Sequence, residues 1–229
     1  MANKKYIMVL DTETANGIMV NNKLDLSCSI VYDIGFTVID KKGNVYQQAS
    51  MAIGDVFCGM RDLMKTAYYA DKIPKYWEDI KAGKRELVSF LHARDIVLNT
   101  MKKYNITTIC AHNARFDVNA LNNTIRYITK SEKRYFFPYG TEIWCTMKGA
   151  SNTIAKQKGY KIFCQKNGYM TNHKTPRVRV TAEILYKYIS GNHDFVEEHQ
   201  GLDDTTIEAK ILVQILRQHS KKEYIRLYA

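Results

Sequence analysis

Runs of apolar residues along the chain predict the strands of a sheet. The stretch YIMVL predicts a first strand over about residues 5–11, and SIVYDIGFTVID predicts a second over Ser29–Asp40. Lys41–Asn44 is typical of a turn, and apolar positions resume over Val45–Ile53, so the second and third strands should form a hairpin. Two shorter runs predict later strands at Ile106–Ala111 and Glu142–Thr146.

Helical spacing of apolar residues begins in the middle of the chain. The predicted helices are Arg85–Tyr104, one that starts close to Asp117, residues 181–190 and residues from about 203 to 219. Residues 60–83 mix helix and loop. Three strands followed by alternating helices and strands predict an α/β fold with a mixed sheet flanked by helices. The length of 229 residues favours a single domain over residues 1–229.

The chain is basic, and one stretch carries much of the excess. The formal net charge is +11, and no Asp or Glu occurs between Ile143 and Ala182. Basic residues alternate there with Tyr160, Phe163 and Tyr169, a pattern typical of surfaces that follow phosphates and stack bases. The residues of this basic stretch that we expect to contact nucleic acid are Lys156, Lys158, Lys161, Lys166, Lys174, Arg177 and Arg179.

The same stretch carries a turn signal. Asn167–Gly168 between alternating residues predicts a two-residue turn, and hence an additional basic hairpin near 158–180. The charge pattern favours a nucleic-acid partner. The alternative is a basic balance that only serves solubility.

Other classes of protein are disfavoured by the composition. No run of about 18 apolar residues occurs, so no membrane span is expected. The first apolar run is cut at Asp11, too early for a secretory signal peptide. The five cysteines are scattered singly without a C-x-x-C pair, which predicts reduced thiols rather than disulfides. We therefore expect a cytoplasmic protein.

Acidic residues follow the predicted strands at three places. Asp11 and Glu13 share one face of a strand, where two carboxylates repel each other unless a cation lies between them. Asp117 is either a residue that starts a helix or a third carboxylate at the same sheet edge. His199 precedes Asp204 by five residues across a glycine, which would place an imidazole beside a carboxylate. Oxygen ligands of this kind suit Mg²⁺ or Mn²⁺.

Three motifs in this order resemble the DEDDh, or DnaQ-like, 3′–5′ exonucleases of the ribonuclease H-like superfold. DTET at Asp11–Thr14 resembles the first motif, HNARFDVNAL at His112–Leu121 the second, and HQGLDDT from His199 the third. YDIGFTVID also resembles a strand of that family, which includes the proofreading subunit of bacterial replicative polymerase, oligoribonuclease and ribonuclease T. The resemblance spans about residues 5–216 and implies a five-stranded ribonuclease H-like sheet. The chain departs from the family pattern at two places. Thr205 stands where the family usually has Ala, and the basic stretch is longer than in the family.

The resemblance implies a two-metal-ion hydrolysis that releases nucleoside 5′-monophosphates from a 3′ end. Two Mg²⁺ or Mn²⁺ ions would be held by Asp11, Glu13, Asp117 and Asp204, and His199 would be the general base. The spacing selects Asp204 over Asp203 as the ligand. The residues expected around the substrate are Thr12, Thr14, His112, Asn113 and Phe116. Glu197 and Glu198 are expected to be solvated.

Several alternatives stay open from the sequence. Single-stranded DNA is favoured over RNA as the substrate, and a 3′–5′ exoribonuclease is the alternative. A catalytically inert nucleic-acid-binding or inhibitor protein on the same fold is a further alternative, although all five site residues are present. A DNA polymerase is a possible partner, a free-standing enzyme is favoured, and a homodimer is possible because some members of the family are dimers.

Overall fold

The computed structural model describes residues 5–16, 19–20, 23–24, 28–218 and 224–227. Its strands are β1 (Tyr6–Ala15), β2 (Met19–Val20), β3 (Lys23–Leu24), β4 (Ile30–Asp40), β5 (Val45–Ile53), β6 (Glu86–Val88), β7 (Thr108–Ala111) and β8 (Glu142–Cys145). Six of them form one mixed sheet in the order β6-β5-β4-β1-β7-β8, and β2 pairs with β3 in a separate ribbon. The strands β1, β4 and β5 are antiparallel, while β6, β7 and β8 each pair in parallel with a neighbour.

Helices cover both faces of this sheet. They are α1 (Gly54–Phe57), α2 (Arg61–Met64), α3 (Ile73–Lys81), α4 (Phe90–Lys103), α5 (Ala114–Ile128), α6 (Thr146–Asn152), α7 (Lys158–Lys166), α8 (Ala182–Ser190) and α9 (Gly201–Arg217). Short 3₁₀ turns span Ala70–Lys72 and Ile154–Lys156. Among the described residues, no helix combines the length and the apolar character needed to cross a bilayer.

Alternation along β1 divides the core into two clusters. Met8 and Leu10 pack with α3, α4 and α5, whereas Ile7 and Val9 pack with α6, α7, α8 and α9. By the same alternation, Asp11 and Glu13 continue the face of Ile7 and Val9. The first strand therefore directs its two carboxylates toward the α9 side of the sheet.

The predicted mixed α/β sheet flanked by helices is confirmed, with six strands rather than the expected five. The additional strand is β6, whose residues Glu86–Val88 lie inside the segment predicted as the start of a helix. Ser89 ends that strand and caps α4, because its Oγ accepts a hydrogen bond from the backbone N–H of His92 at 3.2 Å. The helix thus begins at Phe90 instead of Arg85.

The basic hairpin expected near 158–180 is wrong in its first half. Residues Lys158–Lys166 form α7, whose buried residues Tyr160, Phe163 and Cys164 follow helical spacing. Gly168 has φ +72° and follows Asn167, the residue that caps the end of this helix. Asn-Gly marks a helix end as well as a hairpin turn, since both need a residue in the left-handed region.

Only the second half of the expected hairpin approaches strand geometry. A single bridge pairs Met170 with Val178, and backbone hydrogen bonds join Thr171 to Arg177 and Arg179 to Tyr169. We call residues 169–180 the strap. It runs from the end of α7 to the start of α8, on the α9 side of the sheet.

Candidate active site

The first strand extends beyond its neighbour and places two acids at an open edge. Its pairing with β7 ends at Val9–Cys110, whereas β1 itself continues to Ala15. The sequence predicted that Asp11 and Glu13 lie at the end of the strand. The structure places both within it, because β1 continues to Ala15. On the other side, β1 stays paired with β4, and Glu13 lies opposite Asp33.

Helix α9 brings Asp204 to these two acids. Asp204 lies in the first turn of α9, and one carboxylate oxygen from each of Asp11, Glu13 and Asp204 lies within 4.8 Å of the other two. The start of α9 packs directly on β4, where a Cβ added at Gly35 would lie 2.1 Å from the carbonyl carbon of Gly201. Glycine at both positions permits this close approach.

Asp117 joins the site from the other side of the sheet. It is buried in the first turn of α5, and its Oδ1 accepts a hydrogen bond from Thr12 Oγ at 2.9 Å. Both residues line the same cavity of about 530 Å³ as the other acids. The structure thus brings Asp11, Glu13, Asp117 and Asp204 together from three separate segments.

The four acids are buried close to one another, and this burial raises their pKa values. Burial raises the pKa of Glu13 to about 9, with a further contribution from the charge of Asp33. Burial, followed by the charge of Glu197, raises the pKa of Asp204 to about 8. For Asp117 burial raises the pKa to about 7, although the hydrogen bond from Thr12 opposes the shift. The pKa of Asp11 is raised well above its ordinary value, first by burial and next by the charge of Glu208.

His199 lies at the mouth of the acidic cavity beside Asp204. A ligand atom from each of Glu197, His199 and Asp204 lies within 4.8 Å of the other two, and Nδ1 of His199 is 4.0 Å from the Glu197 carboxylate. The imidazole stacks on Tyr69, with ring centroids 4.2 Å apart. Burial and the nearby charge of Lys72 lower the pKa of His199. A neutral imidazole in this position can accept a proton near neutral pH.

The other predicted substrate residues differ in their placement. His112, Asn113 and Phe116 line the acidic cavity together with Thr12. Both ring nitrogens of His112 are within 2.8 Å of partners inside the protein, Thr146 Oγ and the carbonyl oxygen of Val180, and burial lowers its pKa to about 4. Thr14 is partly buried and is not among the residues that line this cavity. The substrate roles of these residues stay predictions.

The basic stretch extends away from the acids across the strap. Its seven residues Lys156, Lys158, Lys161, Lys166, Lys174, Arg177 and Arg179 are all exposed. Arg179 lines the acidic cavity, whereas Lys161 and Arg177 line a neighbouring cavity of about 650 Å³. Thr171, Val178 and Val180 of the strap line both cavities, so the two cavities adjoin at the strap.

Three residues of the site were missed or misjudged from the sequence. Glu197 was expected to be solvated, yet its side chain is 14% exposed and burial raises its pKa to about 7. Glu208, one turn after Asp204 on α9, is buried beside the other acids. Its signal was an acid within the apolar stripe of Ile207 and Ile211. Tyr69 comes from a segment without a clear periodic pattern, so no sequence signal pointed to it.

The cluster fits a divalent cation on its own geometry. Asp204 Oδ1 and Glu208 Oε2 are buried without a hydrogen-bond partner in the described part of the chain. A buried carboxylate oxygen without a partner is costly, and a cation offsets that cost. Because the donors are carboxylate oxygens, the residues suit Mg²⁺ or Mn²⁺ better than a thiolate-seeking metal.

Three solved structures are similar to this chain in their fold. Exonuclease X in complex with 5′ overhanging duplex DNA matches over 96% of this chain and 96% of that chain, with 15% identity and a TM-score of 0.42. Cell-death related nuclease 4 (CRN-4) matches over 94% of this chain and 64% of that chain, with 12% identity and a TM-score of 0.47. E. coli exonuclease I in complex with a dA16 oligonucleotide matches over 96% of this chain, with 12% identity and a TM-score of 0.51, and our chain spans 42% of its length.

The likeness to E. coli exonuclease I confirms the ribonuclease H-like α/β fold. No protein-family model and no curated protein sequence matches the chain.

Proposed function

We propose that this protein is a metal-dependent 3′–5′ exonuclease of the DEDDh type that acts on single-stranded nucleic acid, with DNA favoured over RNA. The observation that carries the proposal is the meeting of Asp11, Glu13 and Asp204 within 4.8 Å, with His199 beside Asp204. These side chains come from distant segments, and they match the roles that the sequence motifs imply. The fold likeness to E. coli exonuclease I, an enzyme seen with an oligonucleotide, agrees with this assignment.

Each acid has a definite task in this proposal. Asp11, Glu13 and Asp204 would hold one ion, and Asp11 and Asp117 a second. Bound divalent ions polarise the scissile phosphate and lower the pKa of an attacking water. Thr12 keeps the Asp117 carboxylate oriented through its 2.9 Å hydrogen bond.

His199 would accept the proton of the attacking water. Its stacking on Tyr69 restricts the ring, and its lowered pKa keeps it neutral at neutral pH. Cleavage of the terminal phosphodiester bond then leaves the phosphate on the 5′ carbon of the released nucleotide and a hydroxyl on the new 3′ end. The strap and its cations would hold the phosphates upstream of that end.

A time course on 5′-labelled single-stranded DNA and RNA oligonucleotides tests the proposal. The reactions contain Mg²⁺, Mn²⁺ or a chelator, and the Asp204→Asn variant is assayed in parallel. We expect a metal-dependent ladder that shortens from the 3′ end and disappears in the variant, faster on DNA than on RNA. Binding of both oligonucleotides without cleavage in either metal would instead support an inert binding protein on this fold.

A further inference from the structure

Glu208 is an acid that the proposed reaction does not yet use. It lies four residues after Asp204 on α9, so both side chains share one face of the helix. Glu208 is only 2% exposed, and it lines the acidic cavity together with Asp11 and Asp117. Its neighbours Ile207 and Ile211 belong to the apolar core. A carboxyl group in this place requires a compensating interaction.

Only part of that compensation is present within the protein. The backbone N–H of His112 lies near the Glu208 carboxyl group and favours its ionised form. Its Oε2 has no partner among the described residues. A purely structural buried acid is expected to satisfy both oxygens, because unpaired buried polar atoms are rare. The unpartnered oxygen, together with the place of Glu208 in the wall of the acidic cavity, indicates a ligand that comes from outside the chain.

We propose that Glu208 is a further ligand of the metal centre, on the side of the site where Asp11 and Asp117 lie. Glu208, Asp11 and Asp117 all line the acidic cavity, and the Oε2 atom of Glu208 is buried without a partner among the described residues. The unpartnered Oε2 is the oxygen that Glu208 offers to the cation. The inference rests on the proposed function, since it concerns the same metal centre.

Calorimetric titration of Mn²⁺ into the chelator-treated full chain tests this role. The test variant is Glu208→Gln, which keeps the shape of the side chain. The matched control is Asp203→Asn, which removes one acid from the exposed side of the same helix. We expect the native chain to bind two Mn²⁺ ions, Glu208→Gln to bind one of them about 10- to 100-fold more weakly, and Asp203→Asn to match the native chain.

The possible outcomes separate this inference from the proposed function. No Mn²⁺ binding by the native chain would overturn both. Native binding with unchanged affinity in Glu208→Gln would overturn only the role of Glu208. If Glu208→Gln fails to fold by circular dichroism, Glu208→Asp decides, because it keeps the charge but withdraws the oxygens by one methylene. Weaker Mn²⁺ binding by Glu208→Asp supports the role, and native affinity in that variant overturns it.

Discussion

Glu13 and Asp33 lie opposite each other on β1 and β4, yet their surroundings differ. Asp33 is fully buried and forms an ion pair with Arg85. It also accepts hydrogen bonds from Tyr76 Oη at 2.8 Å and from the backbone N–H of Gly201 at 3.0 Å. Glu13 instead faces Asp11 and Asp204, which are acids as well. One carboxylate is surrounded by donors, and its neighbour is surrounded by like charges.

This difference separates structure from function at one edge of the sheet. Asp33 joins β4 to the start of α9 by accepting the hydrogen bond from Gly201. Arg85, its ion-pair partner, donates a further hydrogen bond of 3.1 Å to Gln200, the residue before α9. These contacts therefore set where the segment containing His199 and Asp204 lies. Asp204, the acid in that segment, has a buried Oδ1 without a hydrogen-bond partner in the part of the chain that the structure describes. The residues around Asp33 should therefore govern the stability of the metal-free protein. The acids Asp11, Glu13 and Asp204 should govern metal binding and the reaction.

The largest effect on stability is expected from Arg85→Leu. This change leaves Asp33 buried without its cation, so the free energy of unfolding should fall by about 3–5 kcal/mol. Urea denaturation in the presence of chelator measures the change. Lys75→Leu is the control, because the Lys75–Asp79 pair is partly exposed and should contribute less than about 1 kcal/mol. Equal effects of the two changes would contradict the structural role of Asp33.

Asp204→Asn should show the reverse behaviour. We expect nuclease activity to fall by at least about 100-fold, because a metal ligand is lost. The free energy of unfolding in chelator should stay the same or rise, because the change removes an acid among like charges. Oligonucleotide cleavage and urea denaturation measure the two quantities. A loss of several kcal/mol in chelator would mean that Asp204 has partners in the metal-free protein.

The stability of the metal-free protein should fall as the pH rises. In the folded chain the pKa values of Asp117, Asp204 and Glu13 are raised to about 7, 8 and 9. Their unfolded values are near 4, so the folded state binds more protons in between. Stability that is fully present below about pH 4 is therefore lost as the pH rises through about 7 to 9.

Denaturation at about pH 5 and about pH 9 measures this slope. Saturating Mg²⁺ should offset it most at the higher pH, where the acids are ionised. A chain carrying both Glu13→Gln and Asp204→Asn should show a flatter slope. A metal-free protein that becomes more stable toward about pH 9 would contradict the account of the cluster.

The smallest effect is expected from the basic strap. Arg177→Gln should weaken binding of a single-stranded oligonucleotide and reduce the slope of log affinity against log salt by about 0.7, the share of one phosphate contact. Fluorescence anisotropy over a salt series measures this slope. Lys41→Gln is the control, since Lys41 is exposed in the turn after β4, at the opposite end of β1 from the acids. Equal slopes for both variants would remove the strap from the binding path.

The sequence predicted the parts of the molecule that depend on local pattern. Apolar runs located the long strands, and motif spacing brought Asp11, Glu13, Asp117 and Asp204 to one site. The error at Lys158–Lys166 arose because Asn-Gly suits a helix end as well as a hairpin turn. The ion pair of Arg85 with Asp33 joins residues 52 positions apart, and no local pattern reports such a contact.

Glu208 and Tyr69 illustrate two further limits. Glu208 interrupts an apolar helical stripe, and this signal gains meaning only once α9 is known to face β1. Tyr69 meets His199 through an irregular segment whose path depends on tertiary packing. The functional roles of all these residues depend on cations and substrate, which a sequence pattern does not contain.

Anomalous diffraction from crystals grown with Mn²⁺ would locate the bound ions themselves. We expect two anomalous peaks in the acidic cavity, one among Asp11, Glu13 and Asp204 and the other beside Asp11 and Asp117, with Glu208 contacting the second. No peak in this cavity would overturn the proposed metal centre, because the carboxylates would then be held together as protonated acids and not by metal.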